Sequence, residues 1–419
     1  MSSVIAAPEG FIWGAATAGH QIEGGNVNTG HWENEYAPGS QIPEPSGDAC
    51  DSYHRYPEDI ALLADAGLTA YRFSLEWSRI EPEEGVVSRA QLAHYRRMID
   101  TCRDHGVEPI VTLHHFTFPR WWDRSGGWYA AQSTDRFRRF TEIATTILHD
   151  VDLVVTINEP NMMVNQTEAR IDTENGVNFP GPSPFVARAI ADAHHAATEV
   201  LRGVGGIRSG WTVANQVFQA VPGWEAQRDE WQYWREDFFL EQSRSDDFIG
   251  VQSYLRTIIG PTDDEQGFGP QPWPEGTERT LTGWEYYPEA LGQALRHTRE
   301  VTGGIPMIVT ENGMATTDDA RRIDYTTDAL AGMAAAMADG CDVRGYLHWS
   351  LLDNYEWGSF RPTFGLIAVD RETFARSPKP SLAWLGGLAR RNEIPTTLRG
   401  SREPGPTEST SGRTSREVA

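Results

Sequence analysis

Two glutamates stand at the ends of apolar runs that lie far apart in the chain. The run DLVVTINEP (Asp152 to Pro160) carries Glu159, and the run IPMIVTENG (Ile305 to Gly313) carries Glu311. β-Branched residues dominate both runs, which is typical of buried strands in parallel sheets. In a (β/α)8 barrel the carboxyl ends of such strands meet on one rim. Two carboxyl groups on one rim are the groups that glycoside hydrolysis needs.

The strand-like runs recur at a regular spacing, with helix-like segments between them. In the segment from Tyr56 to Gly67, apolar residues recur at helical spacing, and Gly67 is suited to end the helix. This alternation predicts an α/β protein, a single (β/α)8 TIM barrel with loop insertions over residues 1–394. The Ser-, Thr-, Gly- and Pro-rich tail 395–419 is expected to be disordered. The eight runs begin at Phe11, Leu68, Val107, Asp152, Gly210, Asp246, Pro306 and Val343.

Composition restricts the partners and the compartment. The 419 residues carry a formal net charge of −23, which argues against nucleic acid and anionic membrane surfaces as partners. The N-terminus has no basic region followed by an apolar one, so we expect no signal peptide. The three cysteines (Cys50, Cys102 and Cys341) lack metal-type spacing and predict buried thiols in a reducing compartment, so we expect a cytoplasmic location.

The predicted strand ends carry amides, carboxylates, one arginine and aromatic rings. These groups suit a polyhydroxylated ligand, because polar groups bind hydroxyls and flat rings cover the C–H face of a sugar. The residues are His20, Gln21 and Glu23 after strand one; Arg72, Glu76 and Trp77 in and after strand two; His114, His115 and Phe116 after strand three; Asn158 and Glu159 after strand four; Tyr254 after strand six; Glu311 and Asn312 after strand seven; and Trp349, Glu356 and Trp357 after strand eight.

These segments resemble glycoside hydrolase family 1, the retaining β-glycosidases of β-glucosidase type, from Phe11 to about Leu388. TINEP resembles the acid/base motif and VTENG the nucleophile motif, so the resemblance assigns these roles to Glu159 and Glu311. It also implies that Arg72 neighbours the nucleophile and that Tyr254 donates a hydrogen bond to it. The sugar-binding residues it implies are Gln21, His115, Asn158, Trp349, Glu356 and Trp357.

Several positions depart from the family pattern. Phe116 stands where a tryptophan is usual, Gln252 and Ser253 replace Asn-Tyr, and the loop between Trp357 and Phe364 is short. The segment 161–181 matches the family poorly. These changes bear on the preference for sugar and aglycone, for which Trp128 is a further candidate.

The two acids are expected to differ in protonation. Arg72 and Tyr254 should keep Glu311 ionised, whereas the nearby negative charge should keep Glu159 protonated.

The sequence thus predicts a β-glycosidase, and most specifically a β-glucosidase, that hydrolyses terminal non-reducing β-linked sugars with retention through a covalent glycosyl-enzyme. No cofactor or metal is expected, the partner is a β-glycoside or short oligosaccharide, and the oligomeric state is not specified.

Three alternatives stay open. A 6-phospho-β-glycosidase is disfavoured because an acid at Glu356 would repel phosphate. A non-catalytic sugar-binding barrel would be expected to lack one of the two glutamates. A metal-dependent hydrolase would use His114 and His115 as ligands, although successive strand residues point to opposite faces.

Overall fold

The computed structural model describes residues 4–164, 182–264 and 266–399, and its centre is a closed barrel of eight parallel strands. Each strand expected from the sequence is one strand of this barrel, in chain order, so the predicted fold is confirmed. The strands are β1 (Ile12–Ala16), β2 (Ala70–Ser74), β3 (Glu108–His114), β4 (Leu153–Asn158), β5 (Arg208–Ala214), β6 (Ile249–Gln252), β7 (Met307–Glu311) and β8 (Val343–Trp349).

Helices on the outside connect the strands. The first of them ends where the sequence predicted, because Gly67 adopts a left-handed conformation with φ +96° and caps the last turn. Between β5 and β6 the connection contains a π-helix, Tyr233–Asp237. The main helices are α1 (Ser52–Ala66), α2 (Arg89–Asp104), α3 (Ser133–Thr145), α4 (Pro184–Val204), α5 (Glu225–Gln232), α6 (Phe238–Gln242), α7 (Ala290–Thr302), α8 (Asp319–Ala338) and α9 (Pro380–Arg391).

Two apolar layers enclose the barrel wall. Strand β4 shows the alternation, since Leu153 and Val155 pack inside the barrel while Val154 packs in the layer between strands and helices. Side chains on both faces of the strand are therefore buried, which explains the continuous apolar runs in the sequence.

The strand register is irregular next to both predicted acids. The β4–β5 pairing shifts between Val155 and Asn158, and the β6–β7 pairing shifts between Val309 and Glu311. Such irregularities re-aim side chains at the rims of barrels. Both register shifts lie at the carboxyl end of their strand, next to the glutamate that the strand places on the rim.

The loops and chain ends form further short strands that the sequence reading did not predict. One of them, Glu393–Pro395, pairs with Val4–Ala6. Regular secondary structure therefore extends one residue beyond residue 394, the expected end of the barrel domain. The backbone N–H of Arg399 donates to Asp328, and residues 400–419 of the expected tail lie outside the described residues. The remaining short strands are Phe218–Ala220, Thr257–Pro261 and Phe268–Pro270 in one sheet, and Ile367–Val369 with Arg376–Pro378 in another.

The three cysteines are buried free thiols, as the sequence predicted. Among the described helices, none combines the length and apolar character that crossing a bilayer requires.

Candidate active site

A cavity of about 300 Å³ opens at the carboxyl ends of the barrel strands. Eight of the ten predicted site residues line it. The other two, Arg72 and Asn158, are buried beside the lining and bond to it. The eight lining residues are Gln21, His115, Glu159, Tyr254, Glu311, Trp349, Glu356 and Trp357.

Glu311 ends β7 and has a donor on each carboxylate oxygen. Arg72 Nη1 donates to Oε1 at 2.6 Å, and the Tyr254 hydroxyl donates to Oε2 at 2.7 Å. Burial raises the pKa of Glu311 from its ordinary value, while the arginine and the tyrosine oppose this rise. The expected stabilisation of the carboxylate is present, but burial outweighs it, so the pKa is raised rather than lowered.

Glu159 follows β4 and faces the same cavity. Its backbone N–H donates to the Thr212 carbonyl at 2.8 Å, which fixes the chain, but within the described ranges no hydrogen bond to its carboxyl is found. Burial, and then the negative charge of Glu311, hold the pKa of Glu159 well above its usual range. Because the described residues give Glu159 no donors like those of Glu311, and its pKa is raised further, Glu311 ionises first.

Asn158 connects Arg72, the partner of Glu311, to His115. Its Nδ2 donates to His115 Nε2 at 3.2 Å, which leaves the ring hydrogen of His115 on Nδ1. Burial lowers the pKa of His115 well below its ordinary value, so the ring is neutral. The Asn158 Oδ1 accepts from Arg72 Nη2 at 2.6 Å, Gln252 Nε2 at 2.9 Å and Thr212 Oγ1 at 3.0 Å.

The cavity holds a third carboxyl group, that of Glu356. Glu356 accepts hydrogen bonds from Trp349 Nε1 at 3.2 Å and Gln21 Nε2 at 3.3 Å. Burial and the charge of Glu311 raise the pKa of Glu356 to about 8. The Gln21 Oε1 is buried and accepts no hydrogen bond within the described part of the chain. These groups are therefore able to bind ring hydroxyls as donors and acceptors.

Aromatic rings form the walls. Trp349 stacks on His115 with ring centres 6.0 Å apart, and Phe116 meets the edge of Trp357 at 5.2 Å. Three lining residues adopt positive φ: Glu159 (43°), Phe116 (64°) and Trp357 (49°). Such conformations cost about 1–3 kcal/mol each in residues with a β-carbon. The surrounding fold holds these side chains in place against that cost.

Two weaker sequence candidates lie away from the cavity. Trp128 is buried in an aromatic cluster with Phe118 and Trp122, so it does not serve the aglycone side as suggested. His114 packs against Phe118 with ring centres 4.0 Å apart, whereas His115 contacts Asn158. The two histidines point to different layers and do not form the ligand pair of a metal-dependent hydrolase.

The lining also includes residues that had no assigned role. Gln252 lies two residues before Tyr254, and the alternation of strand side chains could have identified it. Asn215 and Gln216 directly follow β5 and fit the rule already used at the other strand ends. Trp284 comes from a loop, and no sequence signal placed it beside Tyr254, where the ring centres are 5.6 Å apart. The other such residues are Met162, Ala214 and Leu255.

Comparison with known proteins agrees with this geometry. The family model for glycosyl hydrolase family 1 matches residues 4–229 and 236–394. The thermostable β-glucosidase B of Thermobispora bispora is 32% identical over 441 residues, covering 92% of this chain and 91% of that protein.

Solved structures are similar over almost the whole chain. The crystal structure of β-glycosidase BGL167 is 42% identical with a TM-score of 0.83, covering 96% of this chain and 99% of that one. A family 1 β-glucosidase from Thermotoga maritima in complex with isofagomine lactam is 27% identical with a TM-score of 0.82, covering 93% and 100%. The barrel, the rim carboxyl groups and these matches together establish that the chain belongs to glycosyl hydrolase family 1 and is a glycoside hydrolase.

Proposed function

We propose that this glycoside hydrolase is a retaining β-glucosidase, with Glu311 as the nucleophile and Glu159 as the general acid/base. One observation carries the assignment: Glu311 accepts from Arg72 and Tyr254, while Glu159 faces the same cavity with no such donor among the described residues. Donors lower the pKa of a carboxyl group, and a neighbouring negative charge raises it. The environments therefore suit one acid to attack as an anion and the other to carry a proton.

In the first step, a Glu311 oxygen attacks the anomeric carbon, and the bond from that carbon to the leaving-group oxygen breaks. The electron pair stays on the leaving oxygen, which takes the proton of Glu159. The products are a glycosyl ester of Glu311, a free aglycone and the Glu159 carboxylate.

In the second step, the Glu159 carboxylate removes a proton from water as the water oxygen attacks the anomeric carbon. The ester bond breaks, which releases the sugar and restores the Glu311 carboxylate. The charge of Glu311 is masked while it is esterified, so the pKa of Glu159 falls and the group becomes a base when one is needed. Two displacements at the anomeric carbon give net retention.

The sugar is proposed to bind between the ring of Trp349 and the polar side chains of the cavity. These polar side chains include Gln21, His115 and Glu356. The free Oε1 of Gln21 and the Nδ1–H of His115 offer one acceptor and one donor. Glu356 is neutral below about pH 8, so it can donate as well as accept. Asn158, which the family resemblance places among the sugar-binding residues, is proposed to bind a sugar hydroxyl through its Nδ2 group.

A neutral sugar suits the site better than a phosphorylated one. The predicted repulsion by Glu356 is weak while that group is protonated. A stronger argument is that no lysine or arginine occurs among the described residues that line the cavity. Phosphate recognition ordinarily uses such cations.

We further propose a cytoplasmic location, which three unpaired buried thiols support.

A screen of 4-nitrophenyl glycosides that differ in sugar and anomer tests this proposal. The β-glucoside or a close β-linked relative should be cleaved fastest, and α-anomers should not be cleaved. Proton NMR of the first-formed sugar should show the β-anomer. An α-anomer as first product from the β-glucoside would refute the retaining mechanism, and equal rates on both anomeric substrates would refute the specificity for β-glycosides.

A further inference from the structure

A cluster of side chains that can bind metals lies next to the catalytic cavity, outside the site described above. Glu236 and Asp237 come from the π-helix, and His297 comes from α7. One ligand atom from each of the three lies within 4.8 Å of the other two. Glu236 is buried, whereas 24% of the Asp237 side chain and 30% of the His297 side chain are exposed, so an ion can enter from solvent.

The Nε2 atom of His297 lies at the centre of this cluster. It is 2.6 Å from Asp237 Oδ1 and 3.8 Å from Glu236 Oε1. The side-chain amide of Gln232, at the end of α5, is also 2.6 Å from this nitrogen and 3.1 Å from Asp237 Oδ1. Four polar side chains therefore converge on one region.

Hydrogen bonds among these groups conflict with one another. The amide nitrogen of Gln232 and the Nε2 of His297 both face Asp237 Oδ1 as donors, although the two nitrogens are only 2.6 Å apart. A half-turn of the amide brings its oxygen to the same place, so that two acceptors meet beside Nε2. The second arrangement favours a positive charge among these atoms.

The spacing of the ligand atoms suits Zn²⁺. Four ligands at about 2.0–2.1 Å from zinc, arranged as a tetrahedron, lie about 3.3 Å from one another. The separations of 2.6, 3.1 and 3.8 Å in the cluster lie on both sides of this value. One imidazole nitrogen and two carboxylate oxygens are common zinc ligands, and the two carboxylates balance the charge of the ion.

Residues of the catalytic cavity hold Glu236 in its orientation. The backbone N–H of Gln216 donates to Glu236 Oε2 at 2.9 Å, and Asn215 Nδ2 donates to Oε1 at 3.1 Å. Hydrogen bonds of this kind orient carboxylates that bind metals. Because Asn215 and Gln216 line the catalytic cavity, the cluster is linked directly to the cavity wall.

Another group of three possible ligands, His20, His31 and Glu35, occurs among the described residues and is less suited to a metal. His20 Nδ1 accepts from Asn26 Nδ2 at 3.2 Å, so the ring hydrogen is on Nε2, which donates to Glu35 at 2.9 Å. In the described part of the chain no such hydrogen bond holds Nδ1 of His297. That nitrogen can carry the ring hydrogen while Nε2 binds an ion.

We propose that Glu236, Asp237 and His297 bind a divalent cation of the zinc type. The amide oxygen of Gln232 or a water molecule completes the four ligands. The ion fixes the wall formed by Asn215 and Gln216, and it takes no part in bond cleavage, for which no metal is expected. The inference is independent of the proposed β-glucosidase function.

Metal titration of the purified protein tests the inference. After treatment with a chelator and dialysis, the protein should bind one Zn²⁺ tightly in calorimetry. Co²⁺ in the same site should show the visible absorption of four-coordinate cobalt. His297→Gln and Asp237→Asn should each abolish this absorption and weaken Zn²⁺ binding at least about tenfold, because even the loss of a partner outside the ligand set has that effect.

His31→Gln provides the matched control. It removes a histidine from the other group of possible ligands, and it should bind Zn²⁺ and Co²⁺ as the wild type does. A cooperative thermal unfolding transition in metal-free buffer shows that each variant is folded. Asp237→Asn preserves the size of the side chain, so this variant decides the question if His297→Gln does not fold.

Two results would overturn the inference. If the wild type does not bind Zn²⁺, or if it binds no more tightly than Asp237→Asn, the cluster is only an ion pair between protonated His297 and its acids. If binding is lost in His31→Gln instead, the ion belongs to the other group. Cleavage of 4-nitrophenyl β-glucoside in metal-free buffer is measured separately, and its outcome bears on the proposed function alone.

Discussion

Arg72 forms a buried ion pair with Glu311, with Nη1 of the guanidinium 2.6 Å from Oε1 of the carboxylate. Its other terminal nitrogen, Nη2, lies 2.6 Å from the Asn158 side-chain oxygen. One guanidinium therefore links the proposed nucleophile to the residue before the proposed acid/base. Because the pair is buried, it influences both the charge of Glu311 and the stability of the barrel rim.

Replacing Arg72 should change the pH dependence of catalysis. Arg72 lowers the pKa of Glu311 against the effect of burial, so Arg72→Gln should raise that pKa. The acidic limb of the kcat/KM profile then moves to higher pH, because Glu311 is protonated over more of the range. Breaking the pair should also reduce the free energy of unfolding by about 3–5 kcal/mol.

Arg376→Gln separates the two effects of the Arg72 substitution. Arg376 forms an equally buried ion pair with Asp59, outside the cavity. This variant should lose comparable stability in a denaturant titration while its acidic limb stays in place. If the limb fails to move in Arg72→Gln, or moves equally in both variants, the proposed link to Glu311 is wrong.

Tyr254→Phe should lower kcat while leaving the protein folded. The substitution removes the hydroxyl that donates to Glu311 at 2.7 Å, and a bond to a charged group is worth about 1.5–3 kcal/mol, or roughly ten- to more than a hundredfold in rate. Tyr286→Phe is the control, since its hydroxyl has no partner in the described residues and it lies outside the cavity lining. Equal kcat values for the two variants would contradict the role of Tyr254.

The pKa of Glu159 should depend on the charge of Glu311. Glu311→Gln removes the negative charge that raises it, so the pKa of Glu159 should fall in this variant. Carbon-13 NMR of labelled glutamate carboxyl groups, with Glu159→Gln used for assignment, measures the change. An unchanged or higher pKa would mean that the two groups do not interact.

Glu356 should control the choice of sugar. Glu356→Ala should lower kcat/KM for the preferred glycoside much more than for an analogue that lacks the outer ring hydroxyls, because the lost bonds belong to those hydroxyls. Kinetics on matched glucoside and deoxyglucoside substrates make the comparison. Equal losses on both substrates would remove Glu356 from the sugar site.

The barrel and the two acids were predictable because each depends on local sequence. Continuous apolar runs mark strands buried on both faces, and the residue that ends such a run lies on the rim, as Glu159 and Glu311 do. The family resemblance added the partners Arg72 and Tyr254, which come from other strands.

Features that depend on contacts between loops could not be predicted in this way. Trp284 reaches the cavity from a loop without periodic pattern, and the short strand Phe218–Ala220 has too few residues to show one. Trp128 was misplaced because a tryptophan in a glycine-rich loop looks the same in the sequence whether it lines a cavity or fills a core. The raised pKa of Glu311 likewise results from its burial in the folded barrel, which the motif does not encode.

Azide rescue of two alanine variants tests the assignment of the acids most directly. Glu159→Ala should still form the glycosyl-enzyme from a dinitrophenyl β-glucoside, which needs no proton, and azide should then give the β-glucosyl azide. Glu311→Ala has no nucleophile, so azide should attack from the opposite face and give the α-glucosyl azide. The anomeric coupling constants of the products, read by proton NMR, distinguish the two. The reverse pattern would show that the roles of Glu159 and Glu311 are exchanged, and full activity in both variants without azide would contradict the mechanism altogether.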